Sequence, residues 1–277
     1  MEQQGIIGLA LIIINCIASY FGIRNQSLLE KNCFQVDKII VKKDIKRIIT
    51  SGFFHVSWMH LFFNMFSLYF FSSILENEVG HWLFLLIYMV SLIGGNLLAL
   101  FIHRNNGTYR AIGASGAVSG IIFSCIALFP GMDINLFIVH MPSWIFGLAY
   151  VLLTIYGIRS KKTNIGHEAH LGGALAGMLL AIGFYPKSIN ENYLPILVVA
   201  IPSIIFIIII TLKPQMLTSN KASTKNLTSY TIDDLYNEQK IGKEKEINRI
   251  LEKIHKKGIS SLSTKEKDIL EKYSAKK

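Results

Sequence analysis

Residues 113–120 read GASGAVSG, a run of small residues whose only polar side chains are Ser115 and Ser119. It sits between apolar segments, in a chain of 277 residues that is 51% hydrophobic and only 17% charged. Two readings are open. Small residues let helices approach closely, or they shape a backbone that presents a hydroxyl. The apolar run that begins here, Gly116–Phe129, has 14 residues, about 21 Å of helix at ~1.5 Å per residue. A bilayer core is about 30 Å thick, so this helix is too short to cross. The preceding RNNGTYRAIGAS is then expected to dip into the membrane, which irregular backbone tolerates only beside protein or a watered cavity. Ser115 would lie at the bottom of that dip, at the start of the helix.

Six further apolar runs surround it: Gly5–Ile23, Met59–Leu75, Trp82–Ile102, Ile134–Ile158, Ala169–Tyr185 and Leu194–Leu212. None of the 13 Lys/Arg residues within 1–212 falls inside a run. The fold class is therefore an all-α membrane protein of seven candidate spans, because backbone polar groups in lipid must be satisfied within each segment. The start, MEQQ, lacks the basic end of a signal peptide, so Gly5–Ile23 is expected to be retained as a span. The first connection, Arg24–Trp58, holds VDKIIVKKDIKRII and reads as an amphipathic segment at the interface. Residues 213–277 change character, with 15 Lys/Arg against 9 Asp/Glu, so they carry +6 of the net +10. There 221–231 reads as a linker. KEKEINRILEKIHKK reads as an amphipathic helix stopped by Gly258, and Ser263 with Glu266 as the capping box of a helix over 264–273. A soluble basic tail with a helical hairpin is expected. The three cysteines form no disulfide framework.

Polar side chains inside spans are costly and are functional hypotheses by default. His60 and Asn64 are four apart and share a helix face. Interhelical polar glue would explain them equally well. His170 precedes Gly173 and Gly177, while Ser115 precedes Gly116 and Gly120. If these two glycine faces meet, Ser115 and His170 come together. A hydroxyl needs an adjacent base to become a nucleophile, and His170 can be that base. The Ser115 amide, unpaired at a helix start, with Asn64 and His60 could form an oxyanion hole. Glu168 is two residues from His170 and faces elsewhere on a helix, so the pattern is a Ser–His dyad without an acid. Ser119 is the rival nucleophile, but a mid-helix serine usually bonds back to the carbonyl four residues earlier.

With these residues in hand, the chain resembles the rhomboid intramembrane serine proteases, of the bacterial type with six plus one transmembrane helices. The family's GxSG motif stands as Gly113–Gly116, its HxxxN pair as His60 and Asn64, and its AHxxGxxxG motif as Ala169–Gly177. His55, Arg47 and Glu76 match a further histidine, a first-loop arginine and a structural acid. The resemblance covers about residues 1–190 and implies a six-helix rhomboid core there, with 194–212 as an extra transmembrane helix. It implies Ser115 as nucleophile, His170 as general base and acid, and Asn64, His60 and the Ser115 backbone at the oxyanion. Gly113, Gly116, His55, Arg47, Glu76, Gly173 and Gly177 would be supporting residues. Lys46 stands where the family has Trp, and Ser119 stands where members usually carry an aromatic that packs against the histidine.

The expected function is cleavage of transmembrane-helix substrates by a serine endopeptidase, in a multi-pass protein of the bacterial plasma membrane. The expected partners are membrane-protein substrates and the lipid bilayer, not nucleic acid, and no metal or cofactor is implied. The alternative is a catalytically silent relative that binds membrane clients, although such relatives have lost the Ser or His present here. A transporter would show paired discontinuous helices and internal repeats, neither of which the sequence displays.

Overall fold

The computed structural model describes residues 5–129, 131–136, 139–160, 166–212 and 266. Two compact units divide the chain, Met1–Lys221 and Ala222–Lys277, and the helices named below lie in the first. The expected linker, the KEKEINRILEKIHKK helix and the Ser263 cap lie outside the described residues.

Helix α1 (Ile6–Arg24) is followed by a folded first loop of short pieces: α2 (Gln26–Asn32), β1 (Phe34–Gln35), α3 (Val36–Ile40), α4 (Arg47–Thr50) and a 3-10 turn over Ser51–Phe53. Next come α5 (Trp58–Val79), α6 (His81–Ile102), β2 (Arg110–Ala111) and α7 (Ser115–Leu128). The strands β3 (Asp133–Leu136) and β4 (Val139–Pro142) precede α8 (Ser143–Ser160), α9 (His167–Phe184) and α10 (Lys187–Leu212). Among the described residues four helices, α1, α5, α6 and α10, are long and apolar enough to cross a membrane. Phe62 and Phe63 on α5, Leu153 on α8 and Leu179 on α9 point outward, as lipid-facing side chains of a multi-pass membrane protein do.

Helix α7 lies at the centre. Every residue from Gly116 through Ala127 is buried, as expected of a helix apolar all round. Phe84, Ile87 and Tyr88 of α6, Ile121 and Phe123 of α7, and Leu171 of α9 are among the fully buried core side chains. A 14-residue helix is too short to cross the ~30 Å hydrocarbon core, so the orphan terminal groups of α7 need partners from the protein. At its C-terminus they come from Asn192 of α10, whose Nδ2 donates to the carbonyls of Ala127 at 2.9 Å and Leu128 at 3.3 Å. Asn192 breaks the regularity of α10 to do this, with φ −127° and ψ 22°.

The outer helices are tied in by a buried acid. Glu76, near the end of α5, accepts hydrogen bonds from the amides of Ile7 at 2.9 Å and Gly8 at 2.8 Å. Those amides belong to the first turn of α1 and would otherwise be unpaired. Arg47 is buried in the first loop, where Nη1 donates to the carbonyls of Glu30 and Cys33 and Nε to Asp44. Burial also pushes the Cys33 thiol up to about 11, which leaves it an inert packing group beside Ala111.

The run Ile134–Ile158 is not one helix. Its first part is an antiparallel hairpin in which Asp133 pairs with Pro142 and Leu136 with Val139, and α8 starts only at Ser143. Polar Asp133, Asn135 and His140 alternate with apolar neighbours at the period of a strand, and the residue before Pro142 is disfavoured in a helix. The first loop, read from sequence as an amphipathic segment, is a set of short elements. A second ribbon joins it to the segment before Ser115, with Phe34 opposite Ala111 and Gln35 opposite Arg110. The last run starts earlier than its apolar stretch, at Lys187 rather than Leu194.

Replacing Asn192 by Leu, of similar branched shape, leaves two carbonyls without their donor. It should lower the midpoint of thermal unfolding in detergent, by the roughly 1–3 kcal/mol that orphaned buried polar groups cost.

Candidate active site

The site forms where α7 and α9 touch backbone to backbone. A methyl group at Gly173 would overlap the carbonyl oxygen of Gly116, and one at Gly177 would lie 2.5 Å from that of Gly120. Helix α6 joins the same contact, since a methyl at Gly95 would overlap the Ala169 carbonyl oxygen. This three-helix approach brings His170 Nε2 to 2.6 Å from Ser115 Oγ. Ser115 is the first residue of α7, so its amide is one of those with no acceptor inside the helix.

The backbone entering α7 is held from two sides. The Gly113 amide donates to the Ser51 carbonyl at 2.9 Å, and the Ala114 amide to His55 Nε2 at 3.4 Å. Gly113 has φ +137°, a conformation open to glycine and strained for other residues. A Cβ there would also lie 2.7 Å from the His60 ring. His55 accepts at Nε2, so its proton is on Nδ1, which faces Ser19 Oγ at 2.9 Å. Burial, with His60 nearby, pushes the His55 imidazole down to about 3, so it stays neutral and keeps this acceptor role. His60 packs edge-on against His55, ring centroids 5.0 Å apart. Asn64 is buried, and its Nδ2 donates one hydrogen bond to the His60 carbonyl at 2.9 Å. A primary amide carries a second N–H.

A small hollow beside Ser115 is lined by Ser51, Asn96, Gly113 and Gly166, with room for about one water molecule. Asn96 of α6 fixes its wall, donating to the Ile48 carbonyl at 2.7 Å.

Among the described residues His170 hydrogen-bonds Ser115 and no carboxylate. Glu168 turns the other way. Its Oε2 accepts from the Tyr109 hydroxyl at 3.1 Å, and its Oε1 is 3.0 Å from His103 Nε2. His103 stacks flat on Tyr109, centroids 3.6 Å apart. Burial and the adjacent Glu168 hold the Tyr109 phenol well above its usual value, so it remains a donor. This cluster pins the start of α9 to the segment leading into α7. Ser119 is also committed, donating to the Ser115 carbonyl at 2.7 Å. Among the candidates from sequence, Ser115 and His170 meet directly, Gly116, Gly173 and Gly177 form the contact that brings them together, and Gly113, His55 and His60 surround the loop. Arg47 and Glu76 lie away from the dyad as braces of the first loop and of α1. Gly95, Asn96, Tyr109 and Tyr150 were not among those candidates. Gly94–Gly95 in α6 was the one signal that could have flagged a third close-packed helix.

A family model described as the Rhomboid domain matches residues 42–187, and one described as a family of unknown function (DUF6576) matches residues 230–276. The chain is similar to Rhomboid protein 1, mitochondrial, of Saccharomyces cerevisiae, 34% identical over 150 residues, which are 52% of this chain and 43% of that protein. It is similar to RHOMBOID-like protein 12, mitochondrial, of Arabidopsis thaliana, 31% identical over 143 residues, 46% of this chain and 43% of that protein. With Rhomboid-like protein 11, chloroplastic, of Arabidopsis thaliana it shares 31% identity over 144 residues, 48% of this chain and 50% of that protein. The chain spans half or less of the length of these relatives.

Gly173→Val should force α7 and α9 apart and lower the thermal midpoint in detergent, overpacking of this kind costing about 1–3 kcal/mol. Gly183→Ala on the same helix, where an added methyl meets nothing, should leave the midpoint unchanged or raise it.

Proposed function

The chain belongs to the rhomboid family, and we propose that it is a serine endopeptidase that hydrolyses a peptide bond in or beside a transmembrane helix of a membrane-protein substrate. The observation that carries this reading is the 2.6 Å separation of His170 Nε2 and Ser115 Oγ. That distance is within reach for proton transfer from nucleophile to base.

In the proposed reaction His170 takes the Ser115 proton as Oγ bonds to the substrate carbonyl carbon. The carbonyl oxygen gains the negative charge. The Ser115 amide, the second N–H of Asn64 and the His60 ring supply donors for it, fixed in place before the reaction. The tetrahedral species collapses as the C–N bond breaks, and His170 gives its proton to the leaving amine. An acyl-enzyme ester on Ser115 remains. A water then loses a proton to His170 and attacks the ester carbon, which frees the acid and returns the proton to Ser115. The hollow beside Ser115 is a fitting seat for that water. A substrate helix hides its scissile carbonyl in its own hydrogen bond, so small or helix-breaking residues near the cleaved bond are expected. The membrane we propose is the bacterial plasma membrane; the mitochondrial and chloroplastic designations above belong to the relatives that carry them.

Reconstituted in liposomes with a panel of transmembrane reporters, the wild type should cut. Ser115→Ala and His170→Ala should each lose at least about 10³-fold, the scale of removing a member of such a pair. Equal cutting by wild type and Ser115→Ala would contradict the assignment, and cutting of no reporter by the wild type would favour a client-binding protein.

A further inference from the structure

A dyad without a carboxylate raises a question: what keeps the His170 ring from turning? We propose that Tyr150 of α8 is its positioning residue, anchored through Ser119. The Tyr150 and His170 rings lie with centroids 6.1 Å apart and planes 29° apart, within the range of offset aromatic pairs. The Tyr150 hydroxyl is 2.6 Å from Ser119 Oγ. Ser119 Oγ is 2.7 Å from the Ser115 carbonyl, which can only accept. A hydroxyl has one proton, so Ser119 donates to Ser115 and Tyr150 donates to Ser119. The relay runs from the Tyr150 ring, through Ser119, to the backbone of the nucleophile. Phe123 of α7 meets the Tyr150 ring edge-on with centroids 5.9 Å apart, and Phe146 of α8 packs on it at 6.4 Å. Tyr150 is thus fixed by its hydroxyl and by two aromatic neighbours, and it offers a ring to His170.

This relay also explains Ser119. The side chain is fully buried, one turn after Ser115, where an aromatic would be expected on α7. The ring comes instead from α8, and the serine leaves the space and supplies the acceptor. A ring at 119 and a ring at 150 would compete for one face of His170. The positioning role rests on the protease reading above, and the test separates the two.

The experiment measures kcat and KM of the full-length protein in liposomes on a transmembrane reporter, with thermal midpoints for every variant. Tyr150→Leu removes the ring and should lower kcat about 10- to 100-fold with KM unchanged, the scale of a misplaced catalytic group. Tyr150→Phe keeps the ring and should lose only about 2- to 5-fold. Ser119→Ala breaks the same hydrogen bond, so combining it with Tyr150→Phe should cost no more than either alone. Ser119→Tyr joined to Tyr150→Leu restores an aromatic from α7 and should regain at least about 10-fold over Tyr150→Leu. A kcat within twofold of wild type in Tyr150→Leu, a loss confined to KM, or losses from Tyr150→Phe and Ser119→Ala that simply multiply would overturn the proposal. If Tyr150→Leu fails to fold, the Tyr150→Phe and Ser119→Ala cycle decides. Cutting that survives Ser115→Ala would sink the protease reading itself. Cutting lost in Ser115→Ala but indifferent to Tyr150 would sink the positioning role alone.

Discussion

The structure depends on a helix that is too short. At 14 residues, α7 covers about 21 Å of a hydrocarbon layer about 30 Å thick, so it cannot deliver both of its ends to water. Free amides and carbonyls in hydrocarbon are costly, and the protein must satisfy them itself. Asn192 does so at one end. At the other, Ser51 and His55 hold the entering backbone, and the first turn is left with outward-pointing amides at Ser115. The same shortfall that would strand polar groups leaves the Ser115 amide beside a small hollow at the start of α7. A longer α7 would end in solvent and lose that property.

Around this helix the packing is set by backbone contact rather than side-chain interdigitation. In lipid the hydrophobic effect does not drive helices together, and close approach of small residues takes its place. Gly116, Gly120, Gly173, Gly177 and Gly95 let α6, α7 and α9 share one contact. The Ser115–His170 distance follows from it, because each side chain sits one residue or one turn from a contacting glycine. The Glu168–Tyr109–His103 cluster fixes the start of α9 from the other side. Positioning that a triad would assign to a carboxylate on the imidazole is divided here between helix contact, the cluster at the start of α9 and the ring of Tyr150.

Much of this was legible in the sequence because membrane physics leaves few options. Charge-free runs located the helices, the length of Gly116–Phe129 marked the odd one, and four-residue glycine spacing marked the faces that meet. Glu168 was correctly read as facing away from His170 from its spacing alone, and Ser119 as bonding back to Ser115. The hairpin at 133–142 was missed because hydropathy rates a strand and a helix alike when both are apolar, although alternation and Pro142 carried a signal. Tyr150 was missed for a different reason. Helix α8 is apolar all round, so nothing in its pattern says which face turns inward, and an aromatic there has no partner until the fold supplies one. The same holds for Asn192, which reads as a polar residue outside a span until the C-terminus of α7 is found beside it.

The central claim is that Ser115, and no other serine, is made nucleophilic by His170. The most direct measurement is mass-spectrometric mapping of the residue modified when native membranes are treated with a fluorophosphonate, in the wild type and in His170→Ala. The account predicts a single adduct on Ser115 that disappears in His170→Ala. An adduct on Ser119, or equal modification of Ser115 with and without His170, would contradict it.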